Sequence, residues 1–502
     1  MKRVHVSSSA KLFAISFGAL LGVSAAQAAV NISDGPTKHM SCSAGVCSPT
    51  RKGAVLNVND LANMLQASDV KVTTGSGAVT IEITAGLSWA STNRLTLDAN
   101  CSVSIKAPVT VAGPGGLSIV TNDGGTDCDF LFFPGGKVDF WDLSSSLLID
   151  GNSYILTSAI EELAAAIKSN RSGAFALAAD YDASGHKFKR SPIHTKFFGQ
   201  FEGLGHSIEN LSIRDDTGEC VGLFEQIGDR HHSASIRNIA LKSAYVTSSV
   251  QFGSVGTLVG CYAGTISNAS AQGRVIANGN AGGLAGVDLH GFVAEIERSH
   301  ADVEVSTSGG FADAGGLVGF GEFVRWSYAT GSVTATGYYP KVGGLAGECV
   351  GCYQDFATGA VTSSGTIAWG VGGLIGVGRI VEDSYASGTV IGPDSADIGG
   401  FVGDGEDDVI ASYSIGNASG GSSSFVGGFV GRAGEPNIDM DYWDMETSDL
   451  SVGCGEGTCT GVTGLTDAQL KSGLPTGFDP AIWGQDASIN NGYPYLLANP
   501  PP

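Results

Sequence analysis

One five-residue phrase, G-G-[LF]-[AVI]-G, returns six times in the second half of this 502-residue chain. The copies are Gly282–Gly286, Gly315–Gly319, Gly343–Gly347, Gly372–Gly376, Gly399–Gly403 and Gly427–Gly431, with starts 33, 28, 29, 27 and 28 residues apart. A looser copy, Gly256-Thr-Leu-Val-Gly260, precedes them by 26 residues. A near-constant step of this size marks a solenoid, in which each unit buries its apolar face only against its neighbours. That architecture lowers the expectation of an ordinary pocket enzyme.

A second phrase alternates with the first. It reads Ser327-Tyr-Ala-Thr-Gly-Ser-Val333, Asp355-Phe-Ala-Thr-Gly-Ala-Val361 and Ser384-Tyr-Ala-Ser-Gly-Thr-Val390, with a variant at Ser299–Val305. Each repeat thus holds about three short apolar runs between Gly-rich corners. Such runs are too short for helices and suit strands. Stacked in register, the third position of each G-G-[LF] forms an inward ladder: Leu284, Leu317, Leu345, Leu374, Phe401 and Phe429. Val275, Val305, Val333, Val361 and Val390 form another. His300, Tyr328, Phe356, Tyr385 and Tyr413 stack as an aromatic column beside Ala301, Ala329, Ala357 and Ala386. A carbohydrate platform is one reading of this column; a packing ladder is the preferred one. The paired glycines are expected to supply corners with φ > 0 and close coil-to-coil approach.

Residues 1–28 read as a signal peptide: Lys2, Arg3 and Lys11, an apolar core over Leu12–Val23, and Ala26-Gln27-Ala28 before the cut. That core is shorter than the roughly 20 residues of a membrane span. No membrane insertion is expected after cleavage. The chain has 27 Lys and Arg against 49 Asp and Glu; losing the three leader cations leaves 24 against 49, a net −25. This surface excludes nucleic acid and charge-driven binding to anionic membrane. The 75 glycines and only 15% charged residues, with ample Val and Ile, indicate packed β structure.

Ten cysteines in an exported chain imply disulfides. Local pairs offer themselves at Cys42–Cys47, Cys349–Cys352 and Cys454–Cys459. Cys101–Cys128 suits a staple between coils, and Cys220 and Cys261 remain. A zinc or redox reading of Cys349-x-x-Cys352 lacks a second half and a βαβ context.

Residues 29–52 read as a variable lead-in and 53–150 as irregular first coils of the same solenoid. Residues 151–436 form the repeat region, and 437–502 cap its open end through Tyr442-Trp443-Asp444, Trp483 and Tyr493–Leu497. Two short helices are expected. One has an Asn cap over Asn59–Leu65. The other lies near 158–169, opened by a Ser158–Glu161 capping box.

Taken together, Phe198–His206, Ile236-Arg-Asn-Ile-Ala-Leu241, the alternating G-G-L-x-G and S-Y-A-T-G phrases, and the closing Tyr-Trp-Asp, Trp-Gly and Tyr-Pro-Tyr-Leu resemble the GLUG repeats. Those repeats occur in bacterial surface and secreted proteins, in some immunoglobulin A peptidases and in filamentous-haemagglutinin-like adhesins. The resemblance covers roughly residues 150–500. It implies an all-β, right-handed parallel β-helix with about 28 residues per coil, on an exported protein at the extracellular face or cell surface of a bacterium. Two departures matter: none of the nine His sits in an H-E-x-x-H, and no Asn-Pro-Asn lies in residues 29–150. The protease activity therefore does not carry over.

The sharpest carboxylate group is Asp404, Glu406, Asp407 and Asp408, after the fifth phrase. It suits either Ca²⁺, or acid–base work on a glycan, or a solvated corner, which is the preferred reading. Asp439, Asp441 and Asp444 form a second group, and Asp180 and Asp182 a third. No Ser/His/Asp set can be placed. The expectation is a non-catalytic adhesin-like protein, without a cofactor, binding a glycan or cell surface. A polysaccharide lyase or hydrolase on the same scaffold, and a purely structural envelope role, are the rivals.

Overall fold

The computed structural model describes residues 29–75, 78–121, 128–289, 294–434 and 438–502. The leader expected over 1–28 lies outside them. The chain is a parallel β-solenoid of about 15 coils, each roughly 28 residues long. Coil 313–340 shows the unit. Its first wall is Asp313–Gly315, its second Val318–Arg325, and its third combines Tyr328–Ala329 with Val333–Ala335. Every wall pairs in parallel with its counterpart 28 or so residues on, for example Gly315 with Gly343 and Val333 with Val361.

The ladder drawn from the sequence is present. Leu317 N–H donates to Leu345 C=O at 2.9 Å, Leu345 to Leu374 at 2.8 Å, and Phe401 to Phe429 at 2.8 Å. All six side chains, Leu284 to Phe429, are fully buried, as are Val275, Val305, Val333, Val361 and Val390. Parallel strands lie about 4.8 Å apart, so identical residues in successive coils meet at van der Waals contact.

The phrase glycines serve close approach but not φ > 0. A Cβ on Gly344 would sit 2.1 Å from Gly373 O, and one on Gly315 would sit 2.1 Å from Val318 O. Neither residue has a positive φ. The left-handed corner lies elsewhere, between the second and third walls, on Arg298, Trp326, Gln354, Asp383, Ala411 and Met440, with φ between 47° and 59°. Each precedes a buried Ser or Asp that closes the corner. Ser299, Ser327, Ser384 and Ser412 donate Oγ–H to the carbonyl two residues back. Each also accepts an N–H from the preceding coil, as Asp355 and Asp441 do by carboxylate. A side chain that satisfies the corner's backbone makes αL tolerable without glycine.

The N-terminal coils depart from the expected plan. Ala29–Ser33 is not a lead-in: it pairs on one side with Ala54–Asn57 and on the other with Thr80–Ile83. Cys42 and Cys47 close the hairpin of Met40–Ser43 and Val46–Pro49. Helix α1 (Val58–Ala67) is capped by Asn57, not Asn59, and buries Val58, Leu61 and Leu65. This part has its own apolar core, from Val30 to Leu156, distinct from that of the repeats. At Asp150-Gly151, both with φ > 0, a tight hairpin joins Ser146–Ile149 to Asn152–Thr157 in antiparallel fashion. The sheet continues in the same direction while the strands flip. Tyr154, Leu156 and Ala176 face the N-terminal core, whereas Phe175 faces the repeat core, so the two cores lie on opposite faces of this sheet.

Helix α2 (Ile160–Ser169) follows, laid on the coils by Ile160, Leu163 and Ile167. Its N-cap is Ala159, and the expected Ser158–Glu161 box is replaced by Ser158 donating to Glu162. All ten cysteines are paired: Cys42–Cys47, Cys101–Cys128, Cys220–Cys261, Cys349–Cys352 and Cys454–Cys459.

The C-terminal residues do two jobs where one was expected. Asp441–Asp444 and Val462–Leu465 add a last partial coil, in which Trp443 plugs the core end. From Thr466 onward the chain leaves the end and turns back along the flank. There Leu470, Phe478, Trp483, Tyr493 and Leu496 cover Phe356, Tyr385, Tyr413 and Tyr442. The aromatic column is a packing ladder under this strap. Its rings stack at 4.7, 4.6, 4.8 and 5.2 Å from His300 to Tyr413, and only its His300–Tyr328 end is left half-buried.

Candidate functional site

The first walls form an eight-stranded parallel sheet, from Cys220–Val221 to Phe425–Gly427. Its outward positions run Asp313, Lys341, Gly370, Asp397, Phe425. A second outward row, on the neighbouring walls, runs Phe320, Glu348, Val377, Asp404, Arg432, Glu456. Along the corner that leads into this sheet stands a line of large exposed aromatics: Phe252 at 64% exposure, Phe311 at 62%, Tyr338 at 53%, Trp369 at 40% and Phe425 at 41%.

From Phe311 to Trp369 the rings touch. Centroids lie 5.7 Å apart for Phe311–Tyr338, 5.9 Å for Phe311–Tyr339 and 5.6 Å for Tyr339–Trp369. Phe252, Phe311 and Tyr339 hold φ of 62°, 57° and 62°. Left-handed backbone on bulky aromatics is a genuine outlier, and such strain concentrates at binding sites. From Asp313 to Phe425 the row climbs four strand spacings, roughly 19 Å. The register slips between Ile367 and Gly370, and this bulge carries Trp369 outward.

Charges are interleaved with the rings. Lys341 Nζ pairs with Glu348 and lies 3.6 Å from Asp313 and 5.3 Å from the Trp369 ring centroid. Trp369 Nε1–H donates to Asp404 Oδ2 at 3.0 Å. Arg432 reaches Glu456 at 3.4 Å and Asp397 at 3.9 Å. A cavity of about 260 Å³ opens here, its walls Tyr339, Trp369, Phe425, Asp397, Asp404 and Arg432. Burial, and after it the neighbouring Asp404, push the Asp397 carboxyl up to about 6, with Arg432 acting against the shift.

The acidic group singled out in the sequence is divided among separate partners. Asp404 belongs to this cavity, Glu406 pairs with Arg379 at 3.2 Å, Asp407 is exposed, and the Asp408 carbonyl accepts from Val381 N–H of the preceding coil. Asp441 is a buried corner residue, Asp444 caps helix α3 (Met445–Ser448), and Asp439 is exposed. Asp180 and Asp182 bond Lys137 and Asn210 respectively. Among the described residues no three His, Cys, Asp or Glu side chains converge as a metal site. The sequence reading missed the exposed aromatic row because its members fall outside both repeated phrases. Their only signal was an aromatic a few residues before four of the six G-G pairs: Phe311, Tyr338, Trp369 and Phe425. A second polar cavity, at Asp129, Glu295, Glu297 and Arg325, is neutralised from within: Arg325 pairs with Glu295 and Arg298 with Glu297.

Comparison with known proteins gives limited relatives. Halomucin from Haloquadratum walsbyi is 30% identical over 284 residues, covering 54% of this chain but 3% of that protein. The chain thus spans about 3% of its relative's length. The crystal structure of a candidate immunoglobulin A1 protease from Bacteroides ovatus is 22% identical; it covers 69% of this chain and 92% of its own, at a TM-score of 0.35. A likeness of that size says nothing about chemistry. No family model matches the chain, the GLUG repeats included.

Proposed function

We propose that this chain is a non-catalytic surface or secreted β-helix protein that binds a glycan along the aromatic edge. Five disulfides support export, since such bonds persist in oxidising compartments. The similarity to halomucin is compatible with it. Among the described residues no helix is long and apolar enough to cross a membrane. The single observation that carries the glycan reading is the exposed run Phe311–Tyr338–Tyr339–Trp369, held partly in strained backbone. Contiguous exposed apolar patches are rare on folded proteins and mark interaction sites. Flat rings flanked by carboxylates match the alternating apolar faces and hydroxyls of sugar rings. The row is long enough for several sugars. The other column, under the strap, offers only its His300–Tyr328 end.

The test is an array of soluble polysaccharides and oligosaccharides probed with the purified full chain and with a Phe311→Ala, Tyr338→Ala, Trp369→Ala triple variant. Binding that the triple variant loses while keeping its melting temperature supports the reading. A chain that binds nothing, or a variant that binds as well as the parent, overturns it. Release of reducing ends from a bound polymer would favour the hydrolase instead.

A further inference from the structure

We propose that the cavity between Trp369, Phe425 and Asp397 receives the ammonium group of an amino sugar, so that the glycan held on this edge carries free amines. The proposal rests on the glycan reading above and narrows its ligand class.

Asp397 is 8% exposed, yet the cavity it lines is open to solvent. Among the described residues no hydrogen bond reaches its carboxyl oxygens. Its one cation, Arg432 Nη1, stands 3.9 Å away and also serves Glu456 at 3.4 Å. Asp404 completes the set with an acceptor already used by the Trp369 indole. Asp397 and Asp404 thus face the cavity with Arg432 as its lining cation, itself shared with Glu456, while Lys341 beyond Trp369 is taken by Glu348 and Asp313, leaving carboxylate charge in excess. A neutral sugar can donate hydroxyls to Asp397 but brings no charge, so the excess stays uncompensated as water is displaced. A uronic or sulfated sugar would meet these carboxylates and a chain of net charge −22. An ammonium relieves the excess. It also finds three aromatic walls, whose ring faces attract cations. The protein already uses that contact at this edge, with the Lys341 ammonium 5.3 Å from the Trp369 centroid.

The cavity should titrate. Burial and Asp404 raise the Asp397 carboxyl to about 6, with Glu456 adding to the shift and Arg432 opposing it. Only the ionised form attracts the amine, so affinity for a permanently charged ligand falls as pH drops through about 6.

The experiment is calorimetric titration of the full chain with four tetrasaccharides: glucosamine, its N-trimethylated form, N-acetylglucosamine and galacturonate. The expected result is binding of both charged-amine tetramers at least about tenfold tighter than the N-acetyl tetramer, equivalent to about 1.4 kcal/mol. Asp397→Asn should erase that margin, and Asp397→Glu should restore part of it. Should Asp397→Asn not fold, Trp369→Leu replaces it and should reduce the margin by removing a cation-attracting wall. Equal binding of amine and N-acetyl tetramers, unmoved by these variants, overturns the amine proposal and leaves the glycan reading standing. Binding of none of the four overturns both. Preference for galacturonate overturns the amine proposal by its sign.

Discussion

The indole N–H of Trp483 donates to the carboxylate of Asp383 at 2.9 Å, across a hundred residues of chain. Asp383 is an αL corner residue of the solenoid, and Trp483 belongs to the C-terminal strap. Around them Tyr413 Oη–H donates to Pro494 C=O at 2.6 Å, and Asn499 Nδ2–H to Ser327 C=O at 3.0 Å. The strap is thereby fixed along several successive coils, so stability of the repeats depends on residues that are not repeats.

Trp483→Ala should lower the unfolding free energy by about 3–5 kcal/mol, the range for deleting a buried Trp. It also leaves Asp383, already raised by burial, without its donor. Ending the chain before Thr466 should expose Phe356, Tyr385 and Tyr413 together. Strong binding of an environment-sensitive dye such as ANS, with the β-sheet circular dichroism retained, is the expected signature. A truncated chain that binds no dye would contradict the strap's assignment.

Gly344→Ala should cost at least as much as Leu345→Ala, although it adds one methyl where the other removes three carbons. Leu345→Ala leaves a cavity worth about 2–5 kcal/mol. A Cβ added at Gly344 would lie 2.1 Å from Gly373 O, in the backbone of the next coil, and 2.9 Å from the Ala357 Cβ. Neither neighbour is a side-chain tip that can swing away, so the coils must part locally. Urea denaturation of the two variants ranks them.

The difference between close approach and left-handed conformation also marks what was legible in the sequence. Period, strand shortness and the Leu/Phe ladder follow from residue spacing, because register between identical coils carries each residue onto its copy. Conformation within a corner does not follow from composition. Of the six left-handed corner residues only Asp383 is of a type that favours positive φ; Arg298, Trp326, Gln354, Ala411 and Met440 are not, and what licenses them is the hydrogen bonding of the Ser or Asp that follows. Likewise the fold-back of 466–502, the reversal at Asp150-Gly151 and the aromatic edge depend on contacts between segments with no shared periodicity. Phe311 and Trp369 meet only through Tyr339. The carboxylates bunched in sequence at 404–408 part because only Asp404 lies in a strand, Val402–Gly405, while Glu406, Asp407 and Asp408 form the corner before Val409–Ile410.

Asp355→Ser should raise stability at neutral pH. Serine fills the equivalent corner in four of the six coils, satisfying the same N–H without a charge. Burial raises the Asp355 carboxyl well above its usual range, against the two backbone N–H groups, of Ser327 and Tyr353, that favour the ionised form. A carboxyl raised by folding contributes stability below the unfolded value of about 3.9, and that contribution is lost as pH rises through the folded value. The gain from Asp355→Ser should therefore be largest near neutrality and shrink toward pH ~4. Denaturation midpoints of both chains across that range check the slope. A gain that grew on acidification would have the wrong sign.

Phe311→Asn should separate stability from binding. Phe311 has φ of 57° and exposes 62% of its surface, so its ring contributes little burial while its backbone is strained. Asn enters the left-handed region readily, since its short polar side chain bonds locally. Relief of that strain is worth about 1 kcal/mol. The lost contacts with Tyr338 and Tyr339 offset part of it. A variant that melts at or above the parent's temperature but holds glycan more weakly is the expected outcome. Such a result ties the strain to function, because a residue kept against its backbone preference and without benefit to stability has to be kept for what it touches. A variant that melts lower with binding intact would instead make Phe311 an ordinary packing residue and remove one ring from the proposed edge.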